Sequence, residues 1–134
     1  MKRTDLAYVA GIIDGEGYIG LYNAVNGNFR LQVGVTNTNE WLIQWLKFAF
    51  GGHIHQLHIR HPNSKVSYEW RVFGRQALGF LTLVYPYLKI KRPQATIAIN
   101  YQKAKRHYAH MTEEEKAIAD AQRIIMAKLN KKGG

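Results

Sequence analysis

The chain has 134 residues, one domain's worth of sequence and enough to bury a single core. Hydrophobic residues make up 46%, which argues against disorder. The 19 Lys+Arg against 9 Asp+Glu leave a formal net charge of +10, which points to a polyanionic partner and away from an acidic-protein binder or a secreted scaffold. Zero cysteines exclude disulfides, thiolate zinc sites and cysteine nucleophiles together, and fit an intracellular protein.

No run approaches the roughly 18 apolar residues of a membrane helix, so no membrane partner is expected. Lys2-Arg3 and the apolar residues behind them briefly imitate a signal peptide. Asp5 and Asp14 bracket a run too short for one, and the segment is expected to belong to the fold. Residues 5–14 read as a helix capped by Thr4 or Asp5 and ended by Gly15 or Gly17. Leu6, Val9 and Ile13 give it an oily face; Ala7, Ala10, Gly11 and Asp14 give it a face of small residues ending in a carboxylate.

Two alternating strands follow, around 18–22 and 30–36, with a hairpin-turn signal at Asn26-Gly27. Residues 39–50 predict an amphipathic helix whose Trp41, Leu42, Trp45, Leu46, Phe48 and Phe50 supply core, stopped by Gly51-Gly52. A second hairpin takes residues 53–60 and 67–73 around a polar turn at His61-Pro62-Asn63-Ser64. A helix over 75–85 ends near Pro86, Lys89-Ile90-Lys91 forms a basic connector, and Pro93 suits the first turn of a helix over 92–107. Thr112-Glu113-Glu114-Glu115 is a capping box that opens a last helix to about Asn130. Its Ala117, Ile118, Ala121, Ile124, Ile125 and Leu129 are expected to pack on the same chain, and Lys128, Lys131 and Lys132 to reach flanking phosphates.

The elements predict a single α+β domain over residues 1–134, with four antiparallel strands covered by helices on one face. The other face would be bare and basic. Tyr22, Arg30, Gln32, Gly34, Thr36, Gln56, His58, Arg60, Ser67, Glu69 and Arg71 would line it, a surface suited to a DNA major groove.

The acids are scarce where this surface lies: residues 1–111 hold only Asp5, Asp14, Glu16, Glu40 and Glu69. Two of them fall in Val9-Ala10-Gly11-Ile12-Ile13-Asp14-Gly15-Glu16-Gly17, which closely resembles the signature of the LAGLIDADG homing endonucleases. It departs from that consensus conservatively, with Val and Ile for Leu, Gly for Ala and Glu for the second Asp. The αββαββα order and the basic stretch Tyr87-Leu88-Lys89-Ile90-Lys91 extend the resemblance over about residues 5–107. Taken alone, Asp14-Gly15-Glu16-Gly17 is also a plain polar helix end. A calcium loop fails, because Tyr18 stands where a third oxygen ligand is needed.

The small face of the motif helix would let a second helix approach closer than the usual roughly 8–10 Å. With one such helix per chain, the second comes from a second chain, which implies a two-fold homodimer through Ala7, Ala10, Gly11 and Asp14. The resemblance implies a double-strand DNA endonuclease cutting a long, near-palindromic target and leaving 3′ overhangs. It assigns the metal to Glu16 with the carbonyl of Gly15, a charge-stabilising role to Lys91, organisation of the nucleophilic water to Asn37, and helix-end packing to Asp14. Mg²⁺ is the implied ion, with Mn²⁺ substituting and Ca²⁺ supporting binding without cleavage. The family also includes intron-splicing maturases and inactive binders, so RNA stays open as a partner, as do bacterial, phage and organellar settings. A small-molecule enzyme lacks any phosphate loop, dinucleotide fingerprint or nucleophile–base pattern. His53, His55, His58 and His61 lack a carboxylate or thiol to complete a zinc set and read as DNA or phosphate contacts.

Overall fold

The structure, a computed structural model, describes residues 1–24, 28–57 and 65–131. Helix α1 (Arg3–Glu16) leads into strands β1 (Gly17–Asn23) and β2 (Phe29–Asn37). Helix α2 (Glu40–Phe50) then precedes β3 (His53–Gln56) and β4 (Tyr68–Phe73). Helices α3 (Gly74–Val84), α4 (Arg92–Ala104) and α5 (Glu113–Lys131) complete the chain, with 3₁₀ turns at Tyr85–Tyr87 and Tyr108–His110. The strands form one antiparallel sheet in the order β1-β2-β4-β3. The architecture is the expected α+β one.

Strand alternation decides which side chains are buried. Ile19, Leu21, Leu31, Val33, Val35, Trp70 and Val72 point to one face and meet Val9 and Ile13 of α1, Leu42, Ile43 and Leu46 of α2, and Phe80, Leu81 and Val84 of α3. Trp70 is fully buried between Phe50 and Phe80, and its indole N–H donates to the Gly51 carbonyl at 2.7 Å. The tight return from α2 into β3 uses Gly51 and Gly52 at φ of 72° and 98°, a region L side chains rarely adopt.

Several boundaries differ from the sequence reading. Helix α1 runs two residues further at each end. Lys2 occupies the N-cap without a side-chain bond, so Thr4 and Asp5 lie inside the first turn. Gly15 continues the helix and Gly17 ends it by turning extended (φ −93°, ψ 175°), a place where a Cβ would stand 2.8 Å from the Ile13 Cα. Helix α4 stops at Ala104 rather than near residue 107; beyond it the Arg106 carbonyl accepts a bond from Asn28 Nδ2 at 3.1 Å instead of one within a helix. β3 pairs as far as Gln56, and Leu57 N donates to Ser67 O at 2.8 Å. The turns expected at Asn26-Gly27 and at 61–64 lie outside the described residues.

The capping box at the start of α5 is reciprocal: Glu115 N donates to Thr112 Oγ1 at 3.0 Å and Thr112 N to Glu115 Oε1 at 3.1 Å. α5 packs on its own chain, but not by the expected face. Ala119 and Met126 are buried, Asn130 Nδ2 donates to Ile19 O at 2.9 Å, and Ala117, Ile118, Ala121, Ile124 and Ile125 face outward. No described helix is long and apolar enough to cross a membrane.

Candidate active site and nucleic-acid interface

The end of α1 gathers the motif residues. Glu16, the last helical residue, is exposed, and its Oε2 accepts from Asn37 Nδ2 at 2.5 Å. Asn37 closes β2. Its Oδ1 accepts from Asn39 N at 2.8 Å, and Asn39 caps α2 by accepting from Leu42 N at 3.1 Å. The carboxamide is thus held from behind and aims its N–H₂ at the carboxylate. The carboxylate and the carbonyl end of the α1 dipole place negative potential at one point, which favours a cation; the Ile13 carbonyl is capped by Gly17 N and the Asp14 carbonyl already holds the Lys91 ammonium.

The connector before α4 docks on the same helix end. Asp14 Oδ2 accepts from Lys89 N and Oδ1 from Lys91 N, both at 2.9 Å, while Lys91 Nζ donates to the Asp14 carbonyl at 2.9 Å. Three bonds between segments 75 to 77 residues apart therefore fix Lys91 against Asp14, one residue short of Gly15 and two short of Glu16. Lys91 is 5% exposed. Burial pulls its ammonium pKa below the usual lysine value, and the Asp14 charge opposes that shift. Among the described residues no three His, Asp or Glu side chains stand close enough to hold a metal ion. One chain offers Glu16, backbone carbonyls and Asn37.

One face of α1 is open. Ala7, Gly11 and Gly15 lie exposed at intervals of four residues, and a Cβ on Gly11 or Gly15 would meet nothing within 4 Å. Two residues expected on this face are elsewhere. Ala10 is 0% exposed within the chain's own core, so it cannot touch a second helix. The Asp14 carboxylate is taken up by Lys89 and Lys91, and Gly15 extends the open stripe in its place.

On the uncovered face of the sheet, the register brings Tyr18, Gly34, Arg71 and His53 into one row and Thr36, Glu69 and His55 into the next. Tyr18 organises the centre. Its hydroxyl accepts from Gln32 Nε2 at 2.6 Å and donates to Glu69 Oε2 at 2.9 Å, and Arg71 Nε lies 3.1 Å from Glu69 Oε1. Burial, ahead of the neighbouring Glu69 charge, pushes the Tyr18 phenol up to about 12. Gly34 is not open to a ligand: the Tyr18 ring lies across it, and a Cβ there would be 2.5 Å from the Tyr18 hydroxyl. Tyr22 covers Gly20 in the same way. Arg30, Thr36 and Gln56 are exposed, Arg30 stacking over Phe73 at 4.2 Å, and Ser67 is half-buried. His58 and Arg60 lie outside the described residues.

The sequence matches no family model and no curated protein. Solved structures do match. An archaeal intron-encoded homing endonuclease, I-Vdi141I, complexed with DNA, is 16% identical with a TM-score of 0.75, over 94% of this chain and 84% of that one. The homing endonuclease I-CvuI, in complex with the I-CreI target in 2 mM Mg with the DNA not cleaved, is 21% identical with a TM-score of 0.67, over 92% and 82%. I-TnaI, another homing endonuclease, is 17% identical with a TM-score of 0.67, over 94% and 93%. The fold is that of the LAGLIDADG homing endonucleases. Against the LAGLIDADG meganuclease I-AabMI the chain aligns over 88% of its own length but 43% of that protein's.

Within the LAGLIDADG fold, two aromatic residues assigned to the core are on the surface. Trp41 is 68% and Phe48 90% exposed. Trp41 stacks on Trp45 with ring centroids 6.1 Å apart, and Tyr8 of α1 meets Trp45 edge-on at 6.1 Å. Helix α2 turns Leu42, Ile43 and Leu46 fully inward and packs Trp45 and Phe50 partly against the core as expected, whereas Trp41 and Phe48 sit on its outer flank. Tyr18 is the organising residue that sequence reasoning missed. The signal was there: strand alternation put it on the polar face, opposite a glycine with room for its ring.

Proposed function

We propose that the chain is a metal-dependent, site-specific DNA endonuclease that works as a homodimer on a near-palindromic duplex and leaves 3′ overhangs. The observation that carries the reading is the exposed Glu16 carboxylate, gripped by Asn37 at the end of an open small-residue helix face. A two-fold contact through Ala7, Gly11 and Gly15 brings two copies of that carboxylate together beneath two basic sheets. A chain that spans under half of I-AabMI fits a unit that needs a second copy.

The donor set fits a hard cation. Carboxylate and carbonyl oxygens suit Mg²⁺, which keeps several waters and completes its shell from phosphate. Glu16 and the Gly15 carbonyl would hold it. Bound there, the ion would supply Lewis acidity to phosphodiester hydrolysis. Asn37 fixes the rotamer of Glu16. Lys91 keeps a cation at the helix end, with donors beyond the one used by Asp14, where a phosphate oxygen gains negative charge. I-CvuI has been solved with its target in 2 mM Ca and with the I-CreI target in 2 mM Mg, in keeping with divalent-ion use in such proteins.

The test is a cleavage selection on a randomised duplex library in Mg²⁺ and in Ca²⁺, sequencing both the cut ends and the bound fraction. Mg²⁺-dependent cuts within one near-palindromic consensus are expected, with Glu16→Gln abolishing cuts while keeping specific binding. Specific binding without cuts would leave only a recognition scaffold. Cleavage by Glu16→Gln at the wild-type rate would remove Glu16 from the site.

A further inference from the structure

The end of the sheet farthest from Glu16 carries a cleft that the proposed function does not use. It has a volume of about 680 Å³ and is lined by Arg75, Lys103, Lys105, Arg106 and His107 beside Asn28. These come from three places: the first turn of α3, the last turn of α4 and the segment behind it. Asn28 Nδ2, bonded to the Arg106 carbonyl, ties that segment to the start of β2. Glu115, 3.6 Å from Arg106, is the acid at its edge; Arg75, Lys103 and Lys105 make no ion pair among the described residues.

The fold alone disfavours two of these charges. Arg75 puts a cation in the first turn of α3, which has no acid there, against the positive end of the helix dipole. Lys105 is half-buried, and burial first, then the Arg30 charge, pull its pKa below the usual lysine value. An anion in the cleft relieves both.

We propose that this cleft is a phosphate-binding site that grips the DNA backbone at the outer end of each half-site. The inference rests on the reading of the chain as a DNA-binding endonuclease. Its position supports the backbone as the source of the phosphate. Exposed Arg30, on the bare face of the sheet, pairs with Tyr22 near the far end of β1, and Asn28 is two residues away. From Gly17 to Asn23 at about 3.3 Å per residue is roughly 20 Å. Duplex DNA advances about 3.4 Å per base pair, so the cleft meets phosphates about six base pairs or more beyond the level of Glu16.

The experiment uses the selected target duplex in Ca²⁺, with wild type, a Lys103→Gln/Lys105→Gln double variant and, on a separate element, Arg75→Gln. The slope of log affinity against log salt should flatten by about 0.9 for every phosphate that a variant leaves unneutralised. Phosphate-ethylation interference should show outer phosphates needed by wild type and no longer by the variants, with the inner pattern unchanged. Melting temperatures check that each variant folds, and either variant alone suffices. Unchanged slopes and footprints, or a loss confined to the central phosphates, would overturn the proposal while leaving the DNA-binding reading intact. Wild type that binds no duplex would overturn both. Inorganic phosphate that stabilises wild type but not the variants, with duplex binding unaltered, would replace the backbone by a free anion and also overturn it.

Discussion

Replacing Gly11 by leucine should move two quantities in opposite directions. A Cβ at this position meets nothing within 4 Å, so the larger side chain enters open space on the single chain. The substitution also removes a glycine from the interior of α1, which favours the helix by about 0.8 kcal/mol. For a chain of this size that is roughly 3 °C in melting temperature, read at dilution where association adds nothing. In the proposed dimer the same side chain would appear twice at the closest approach of the two helices. Overpacking costs about 1–3 kcal/mol per site, so two copies weaken association by about 2–6 kcal/mol, or roughly 1.5 to 4 powers of ten in dissociation constant. Sedimentation across a concentration series, with thermal melts on the same samples, measures both. Two results would refute the reasoning. A variant that dimerises as wild type would place the interface elsewhere, and a variant monomer that melts below wild type would show that the face is not open.

Three further outcomes are expected. Tyr18→Phe removes the hydroxyl shared by Gln32 and Glu69; it should cost about 1 kcal/mol and broaden base preference in the binding selection more than it lowers affinity. Because the folded Tyr18 pKa is raised to about 12, its contribution to stability is complete below pH 10 and is lost as the pH climbs from there through about 12; the alkaline limb of a stability profile should flatten in Tyr18→Phe, and an identical limb would contradict the assignment. Trp70→Ala, which empties the buried space between Phe50 and Phe80 and leaves the Gly51 carbonyl without its indole donor, should destabilise the chain by about 3–5 kcal/mol in denaturant titration.

Periodicity made the scaffold legible. Alternation in β1, β2 and β4 sorted Ile19, Val33 and Trp70 inward and Tyr18, Gln32 and Glu69 outward, as the structure has them. Ends were harder, because they depend on contacts made across the chain. Helix α4 stops at Ala104, and beyond it the Arg106 carbonyl is taken by Asn28 Nδ2, 78 residues earlier in the chain. Composition misled where large residues are amphipathic: Trp41 and Phe48 satisfy a helical apolar count yet sit on the flank of α2. The candidate site was legible as a set of residues and not as an arrangement. Glu16, Asn37 and Lys91 could be named from the motif and its surroundings. That Asp14 is spent on holding residues 89 to 91, and Ala10 on the core, follows only from packing between segments distant in sequence.

The tyrosine laid across Gly34 also constrains how such a surface can change. Position 34 lies in the middle of the uncovered sheet, an obvious place to diversify in search of a new target. Any side chain there collides with the Tyr18 ring, and moving that ring frees Gln32 and Glu69 together. A single substitution at 34 therefore has to displace the Tyr18 ring, whereas paired changes at 18 and 34 open a different set of donors and acceptors. If this face reads DNA as proposed, a change at its centre comes in coupled steps, while its exposed margins, such as Arg30 and Gln56, can vary one residue at a time.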